Sequence, residues 1–179
     1  MSALTREMTM AEDAELRTRF AELMGRHGAG LRRVARAYAA RTDETEDLLQ
    51  EIALGVWRAL PSFRGDCTER TFVFRVAHNR GLTFVERRKH LATEALDPEE
   101  PGVGSPEETL GDARRREGLW RGIRAMPPGA RAVLTLALEG LSHAEIGEVL
   151  GLTANNVGVR LSRARAELRD WLTDQRRST

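Results

Sequence analysis

Residues 140–165 read GLSHAEIGEVLGLTANNVGVRLSRAR, and the punctuation of this stretch decides the fold. Ser142 stands where a helix N-cap belongs, and Glu145 three places on can return a bond to it, forming a capping box. A short helix, His143–Leu150, follows. Gly151 then sits where a left-handed residue closes a helix, a backbone region that glycine enters without a steric penalty. Thr153 caps the next helix, which runs through Asn156, Arg160 and Arg163 to about Leu172. Ile146, Val149, Leu150, Leu152, Val157 and Leu161 form the packing set, and Gly147 is small where the two helices cross. Helix, tight turn, helix is the geometry that lays a second helix in the DNA major groove. Its exposed face would carry Asn155, Asn156, Arg160, Arg163, Arg165 and Arg169. Asn suits adenine, whereas Arg pairs with guanine or clamps phosphate. On the pattern alone, a surface helix whose arginines are merely solvated stays open.

Working outward, Leu119, Ile123 and Met126 lead to Pro127-Pro128, which stops one helix and opens the next. Ala132–Leu138 is apolar, and Gly140 ends it. The first half also reads as consecutive helices. Leu16, Phe20, Leu23 and Met24 recur at helical spacing, Gly25 to Gly30 supply a break, and Leu31, Val34, Ala35 and Tyr38 stripe a second helix. Asp43 reads as the next N-cap, with Glu46 three residues on. From there Leu48, Leu49, Ile52, Ala53, Val56, Trp57 and Leu60 make a broad apolar face ended by Pro61. Residues 63–67, FRGDC, form a loop, and a fourth helix runs from Thr71 to about Lys89. No alternating strand pattern is long enough to count.

The net charge of +1 conceals a segregation. Residues 11–90 carry net +3, residues 91–113 carry seven acids and no Lys or Arg, and residues 114–179 carry net +5. An acidic stretch with Pro and Gly but no aromatic buries too little apolar surface to offset its ordering entropy. The fold class is therefore all-α: a helical domain over 11–90, a flexible acidic linker over 91–113, and a helix-turn-helix domain over 114–174.

Other function classes find little support. A single cysteine among 179 residues excludes an internal disulfide and favours a reducing compartment. No apolar run approaches the ~20 residues of a membrane helix, and charges interrupt residues 1–20 where a signal peptide needs its apolar core. A cytoplasmic protein with no membrane insertion is expected. His27, His78, His90 and His143 have no metal-ligand spacing with one another or with Cys67. No nucleophile pairing and no phosphate-cradling glycine loop occurs. Hence no catalytic residue, metal or cofactor is expected, and the chain reads as a non-enzyme.

The segment TDETEDLLQEI at 42–52, followed by VWRALPSFRG at 56–65 and TFVFRVAHN at 71–79, resembles region 2 of the sigma-70 family, and most nearly its small extracytoplasmic-function (ECF) group. Residues 140–152 with Val157 and RLSRAR at 160–165 resemble region 4. The likeness covers about 15–90 and 118–172 in the family's order.

That resemblance implies an RNA polymerase sigma factor and a set of roles. Asp47, Gln50 and Glu51 would dock core RNA polymerase, at the coiled coil of its β′ subunit, with the β subunit also in contact. Leu48 would face inward beneath them. Asp66, Cys67, Thr68, Glu69 and Arg70 form the loop that captures a flipped base of the minus-10 element. Unstacking that base costs a few kcal/mol, to be recovered by stacking and edge hydrogen bonds. Phe72, Arg75 and Asn79 continue the minus-10 surface, with Arg80, Arg87, Arg88 and Lys89 as an extension. Thr153, Asn155, Asn156, Val159, Arg160, Arg163 and Arg165 would meet the minus-35 duplex of promoter DNA. An anti-sigma factor is expected as a further partner.

Three positions depart from the family pattern. Phe72 replaces the usual Trp, Glu69 puts a negative charge in the base-reading loop, and Gly158-Val159 replaces a frequent cation followed by Ser. Glycine there costs ~1 kcal/mol of helix propensity. Two rival readings remain: an autonomous helix-turn-helix regulator, and a sigma-like decoy that sequesters an anti-sigma factor.

Overall fold

A computed structural model describes residues 3–92 and 110–177. It contains seven α-helices, and no strand occurs among the described residues. They are α1 (Ala3–Tyr38), α2 (Thr42–Ala59), α3 (Glu69–Ala92), α4 (Leu110–Ala125), α5 (Pro128–Leu138), α6 (His143–Leu150) and α7 (Ala154–Arg177), with a 3₁₀ turn at Leu60–Ser62. The all-α expectation holds. Most of the 91–113 linker lies outside the described residues; its edges belong to α3 and α4.

The first half is built on α1, which packs against α2 and α3. Leu23, Leu31, Val34, Leu48, Ile52, Val56, Val73 and Ala77 are buried between them. Phe20 meets Trp57 edge-on at 5.3 Å on the rim of this core. In the second half α4, α5 and α6 pack on α7 around Trp120, Ile123, Val133, Leu136, Ile146, Val157 and Leu161.

Two local readings are corrected. Gly25 to Gly30 do not break the chain, since α1 runs through them as one helix. Gly25 and Gly28 have open space around them, so their cost is only propensity, roughly 1 kcal/mol each. Packing of the α1 stripe against α2 and α3 outweighs that cost. Asp43 is not the N-cap of α2 either. Arg41 holds that place, in extended conformation, and the Glu44 carboxylate accepts from the backbone N–H groups of Ala40 and Arg41, both at 3.2 Å. Asp43 lies in the first turn and pairs with Arg41 at 3.0 Å. That pairing and a backbone hydrogen bond hold its carboxyl below the usual range.

The two halves share a continuous hydrophobic core, with α1 against α4 and α5, and α3 against α6. Polar contacts line the seam. Arg33 forms a two-pronged bond to Glu139, Nε to Oε1 and Nη2 to Oε2, both 2.7 Å. Arg36 reaches Glu117 at 2.8 Å and stacks its guanidinium over Trp120. Burial pushes the Glu117 carboxyl up, but hydrogen bonds from Arg124 and Arg36 outweigh it and leave the group below its ordinary value. Tyr38, the last residue of α1 and buried against α3, bonds His78 Nδ1 at 2.7 Å, and Arg131 of α5 lies over its ring. Gly81 makes this possible: a Cβ there would lie 2.6 Å from the Tyr38 ring.

Candidate nucleic-acid interface

The helix-turn-helix follows its sequence punctuation closely. Ser142 Oγ accepts from the Glu145 N–H at 3.2 Å, and the Glu145 carboxylate accepts from the Ser142 N–H at 2.8 Å. Those bonds hold the Glu145 carboxyl below its ordinary value. Gly151 closes α6 at φ +68°, and Thr153 Oγ1 accepts from the Asn156 N–H at 3.2 Å. Gly147 lies under the turn, where a Cβ would sit 2.5 Å from the Leu152 carbonyl oxygen.

On α7, Asn155, Asn156, Val159, Arg160, Arg163 and Arg165 are all exposed, as is Thr153 before it. Asn155, Val159 and Arg163 line a shallow hollow of 550 Å³ together with His143, Ala154, Gly158 and Ser162. Arg160 instead lines a crevice with His78, Leu82, Pro128, Leu150 and Leu152. His143 and Ser162 escaped the sequence reading. The signal available was Gly158, whose missing side chain opens the hollow down to the His143 ring, 3.5 Å from where a Cβ would be.

The loop before α3 is more engaged than its sequence implied. Thr68 caps α3, its Oγ1 accepting from the Thr71 N–H at 3.1 Å. Glu69 does not present a bare charge, because Arg26 pairs with it at 2.9 Å and Arg19 at 3.4 Å. Phe72 is only 9% exposed and stacks on Phe63 at 4.5 Å, with Arg19 over the Phe63 ring. A freely exposed wedge is therefore not what this state offers. Asp66 and Asn79 are exposed and Cys67 is half-buried. Arg70 donates to the Glu139 carbonyl oxygen, and Arg75 to that of Glu148 at 3.1 Å. Sequence reasoning missed Arg19, Arg26 and Phe63, which lie remote in the chain or outside the reading loop.

On α2, Asp47 and Gln50 are exposed, Leu48 beneath them is fully buried, and Glu51 pairs with Arg87 at 2.7 Å. Arg88 likewise pairs with Glu44 at 3.2 Å. One turn beyond Gln50, Leu54 is 53% exposed, an apolar projection on an otherwise polar ridge.

Comparison with known proteins accounts for this arrangement. The family description "Sigma-70 region 2" matches residues 23–91, and "Sigma-70, region 4" matches residues 116–168. The ECF RNA polymerase sigma-E factor of Escherichia coli K12 is 30% identical over 134 residues, covering 68% of this chain and 70% of that protein. The chain belongs to the ECF group of the sigma-70 family. Other relatives agree. The ECF RNA polymerase sigma factor SigE of Mycolicibacterium smegmatis is 32% identical across 84% of this chain, which spans only 60% of that relative's length. The RNA polymerase sigma factor CnrH of Cupriavidus metallidurans is 29% identical across 83% of this chain and 84% of its own. The solved complex of CnrH with the cytosolic domain of CnrY superimposes with a TM-score of 0.64, at 26% identity, over 87% of this chain and 88% of that one. The sigma factor RpoE of Bartonella quintana, solved with the anti-sigma factor NepR, shares the fold at a TM-score of 0.72 and 18% identity, over 86% of this chain and 96% of its own.

Among the described residues no helix is long and apolar enough to cross a membrane. No group of three or more His, Cys, Asp or Glu that could hold a metal ion occurs among them either.

Proposed function

We propose that this ECF sigma factor binds core RNA polymerase in the cytoplasm, directs it to a two-part promoter, and contributes to melting without performing chemistry itself. One observation carries the reading: a region 2 ridge and a region 4 recognition helix lie on one chain, in family order, with both faces open to solvent. Asp47, Gln50 and Glu51 would dock the β′ coiled coil, with Leu54 as an apolar anchor. The Asn155–Val159–Arg163 hollow would read the minus-35 duplex: Asn for adenine, the Val methyls for a thymine methyl, Arg for guanine. The loop 66–70 with Arg75 and Asn79 would hold the unpaired minus-10 strand, binding energy for extruded bases offsetting the few kcal/mol of unstacking.

An anti-sigma factor is proposed as a regulatory partner, supported by the sigma factor RpoE of Bartonella quintana, which shares this fold, having been solved with the anti-sigma factor NepR bound. The limits 11–90 and 114–174 are proposed as the core- and minus-10-binding unit and the minus-35-binding unit, joined by the acidic segment 91–113.

Run-off transcription with purified core polymerase on a promoter pool, with and without this protein, tests the reading. New start sites sharing paired upstream elements are expected. Absence of any new start, despite saturable binding to core polymerase, would overturn it.

A further inference from the structure

At the end of α1 opens a cavity of 260 Å³ whose wall is cationic. Arg88 and Lys89 reach it from the end of α3, Arg124 from the last turn of α4, and Arg131 from α5, with Tyr38 and Val85 beside them. Four cations around so small a space repel one another unless acids or bound anions intervene. Glu44 pairs with Arg88 at 3.2 Å, and Glu117 is shared by Arg124 at 2.7 Å and Arg36 at 2.8 Å. Arg131 has no such acid among the described residues. We propose that this cavity is a binding site for a compact phosphate-bearing anion, of inorganic diphosphate size, with Arg131 as its central charge.

Arg131 is a guanidinium held in place without a full counter-charge. Its Nη2 donates to the carbonyl oxygens of Arg124 and, at 3.1 Å, Met126, and the group lies 5.9 Å from the Tyr38 ring centroid. Carbonyls at the end of α4 bring about half an elementary charge of helix dipole against the whole charge of the guanidinium. Nε is buried with no acceptor, and Nη1 has no bond among the described residues. Burial, with the charge of Arg124, holds Arg131 below the ordinary guanidinium value. Burial also pushes the Tyr38 hydroxyl up, so the tyrosine is neutral at pH 7 and lends no negative charge. A guanidinium is not deprotonated in proteins. The charge therefore persists, and it favours an anion brought to it.

The donor set selects phosphate over carboxylate. Arg88 and Arg124 keep N–H groups beyond those bonded to Glu44 and Glu117, and Lys89, exposed at the rim, adds a point charge on a flexible stem. A carboxylate brings one charge, whereas a phosphate ester brings nearly two and three acceptor oxygens. The cavity is smaller than the ~300–1,000 Å³ of sites for drug-sized ligands, so its occupant is compact. A phosphodiester inside a duplex has two oxygens tied to sugars and does not enter a recess as a terminal phosphate does. Arg88 and Lys89, read from the sequence as an extension of the minus-10 surface, line this recess. Binding to the folded chain alone also adds to its stability by mass action.

The test is titration calorimetry with inorganic diphosphate in about 0.15 M NaCl, which screens weak surface attraction. It compares wild type with Arg131→Gln, Arg131→Lys, Lys89→Gln and Arg17→Gln. Arg17 is exposed on α1, about 30 Å along that helix from Tyr38, and its variant removes one charge outside the cavity. Saturation at one diphosphate per chain is expected, with a higher Tm in its presence. Affinity is expected to fall at least about ten-fold in Arg131→Gln, several-fold in Arg131→Lys and Lys89→Gln, and not at all in Arg17→Gln. Circular dichroism checks folding. If loss of the carbonyl bonds unfolds Arg131→Gln, the charge-preserving Arg131→Lys and the exposed Lys89→Gln decide. No saturable binding, several ions per chain, or an equal loss in Arg17→Gln would overturn the site. So would displacement of diphosphate by a promoter-free duplex whose own affinity falls as far in Arg131→Gln, since the recess would then be a DNA backbone contact.

Discussion

Gly147 and Gly158 stand eleven positions apart in the helix-turn-helix, and alanine at each is expected to move stability in opposite directions. At 147 the new Cβ would lie 2.5 Å from the Leu152 carbonyl oxygen and 3.7 Å from the Ala154 backbone nitrogen. The obstacle is the turn backbone itself, so no side chain can rotate away. Relief requires the α6–α7 turn to retreat by most of an ångström. The same turn depends on the Leu152 N–H reaching the Gly147 carbonyl at 2.9 Å, and the Gly151 N–H bonds that carbonyl too. Overpacking costs about 1–3 kcal/mol, a weakened hydrogen bond about 1 kcal/mol, and the better helix propensity of alanine returns about 1 kcal/mol. The net loss is about 2 kcal/mol, or roughly 4–8 °C in Tm for a chain of this size. At 158 the Cβ meets only the His143 ring, at an ordinary 3.5 Å. Alanine there keeps the propensity gain, about 0.5–1 kcal/mol of added stability. Thermal unfolding followed by circular dichroism at one protein concentration decides the matter. A Gly147→Ala variant melting at or above wild type would refute the account of the helix crossing. A Gly158→Ala variant melting well below wild type would refute the account of the hollow.

Three further outcomes are expected. Ser142→Ala removes the cap bond to Glu145 and is expected to cost about 1 kcal/mol in urea unfolding, with the Glu145 carboxyl returning toward its ordinary value by NMR titration. Burial depresses both His78 and His27, the latter helped by Arg26 and Arg70. The unfolded chain then binds protons more readily, so the stability these histidines contribute is present above about pH 6.5 and lost as pH falls through their folded values. Urea midpoints that stay flat between pH 7.5 and 5 would contradict this. Finally, Arg163→Ala should weaken minus-35 duplex binding by about 1–3 kcal/mol and relax preference at one base pair if it reads an edge. A uniform loss with a salt slope smaller by about one would mark a phosphate contact instead.

The rule separating legible from hidden features is range. Ser142, Glu145, Gly151 and Thr153 were readable because each acts within five residues of its partner, where spacing along the chain is spacing in space. The same holds for Leu48 and Ile52, whose burial follows from the helical period. Gly25 to Gly30 misled because a glycine-rich run signals a break only when nothing else stabilises the helix. Here α2 and α3 pack along α1 and carry it through. Asp43 lost the capping position because Glu44, one residue on, reached back to the N–H groups of Ala40 and Arg41.

What the amino-acid order determined by itself is the all-α class, the turn geometry of the second half, and the motifs that resemble the family. The first two rest on local backbone preference and periodic burial, the third on likeness of sequence. Tertiary structure alone decided the state of the candidate DNA-binding residues. Glu69 is neutralised from α1, Phe72 is stacked under Phe63, and Arg70 and Arg75 are held by carbonyls of the other half. Arg33 and Glu139 meet across 106 positions of chain. Nothing in their own neighbourhoods announces the pairing, because its energy exists only after both halves have folded and their surfaces have met.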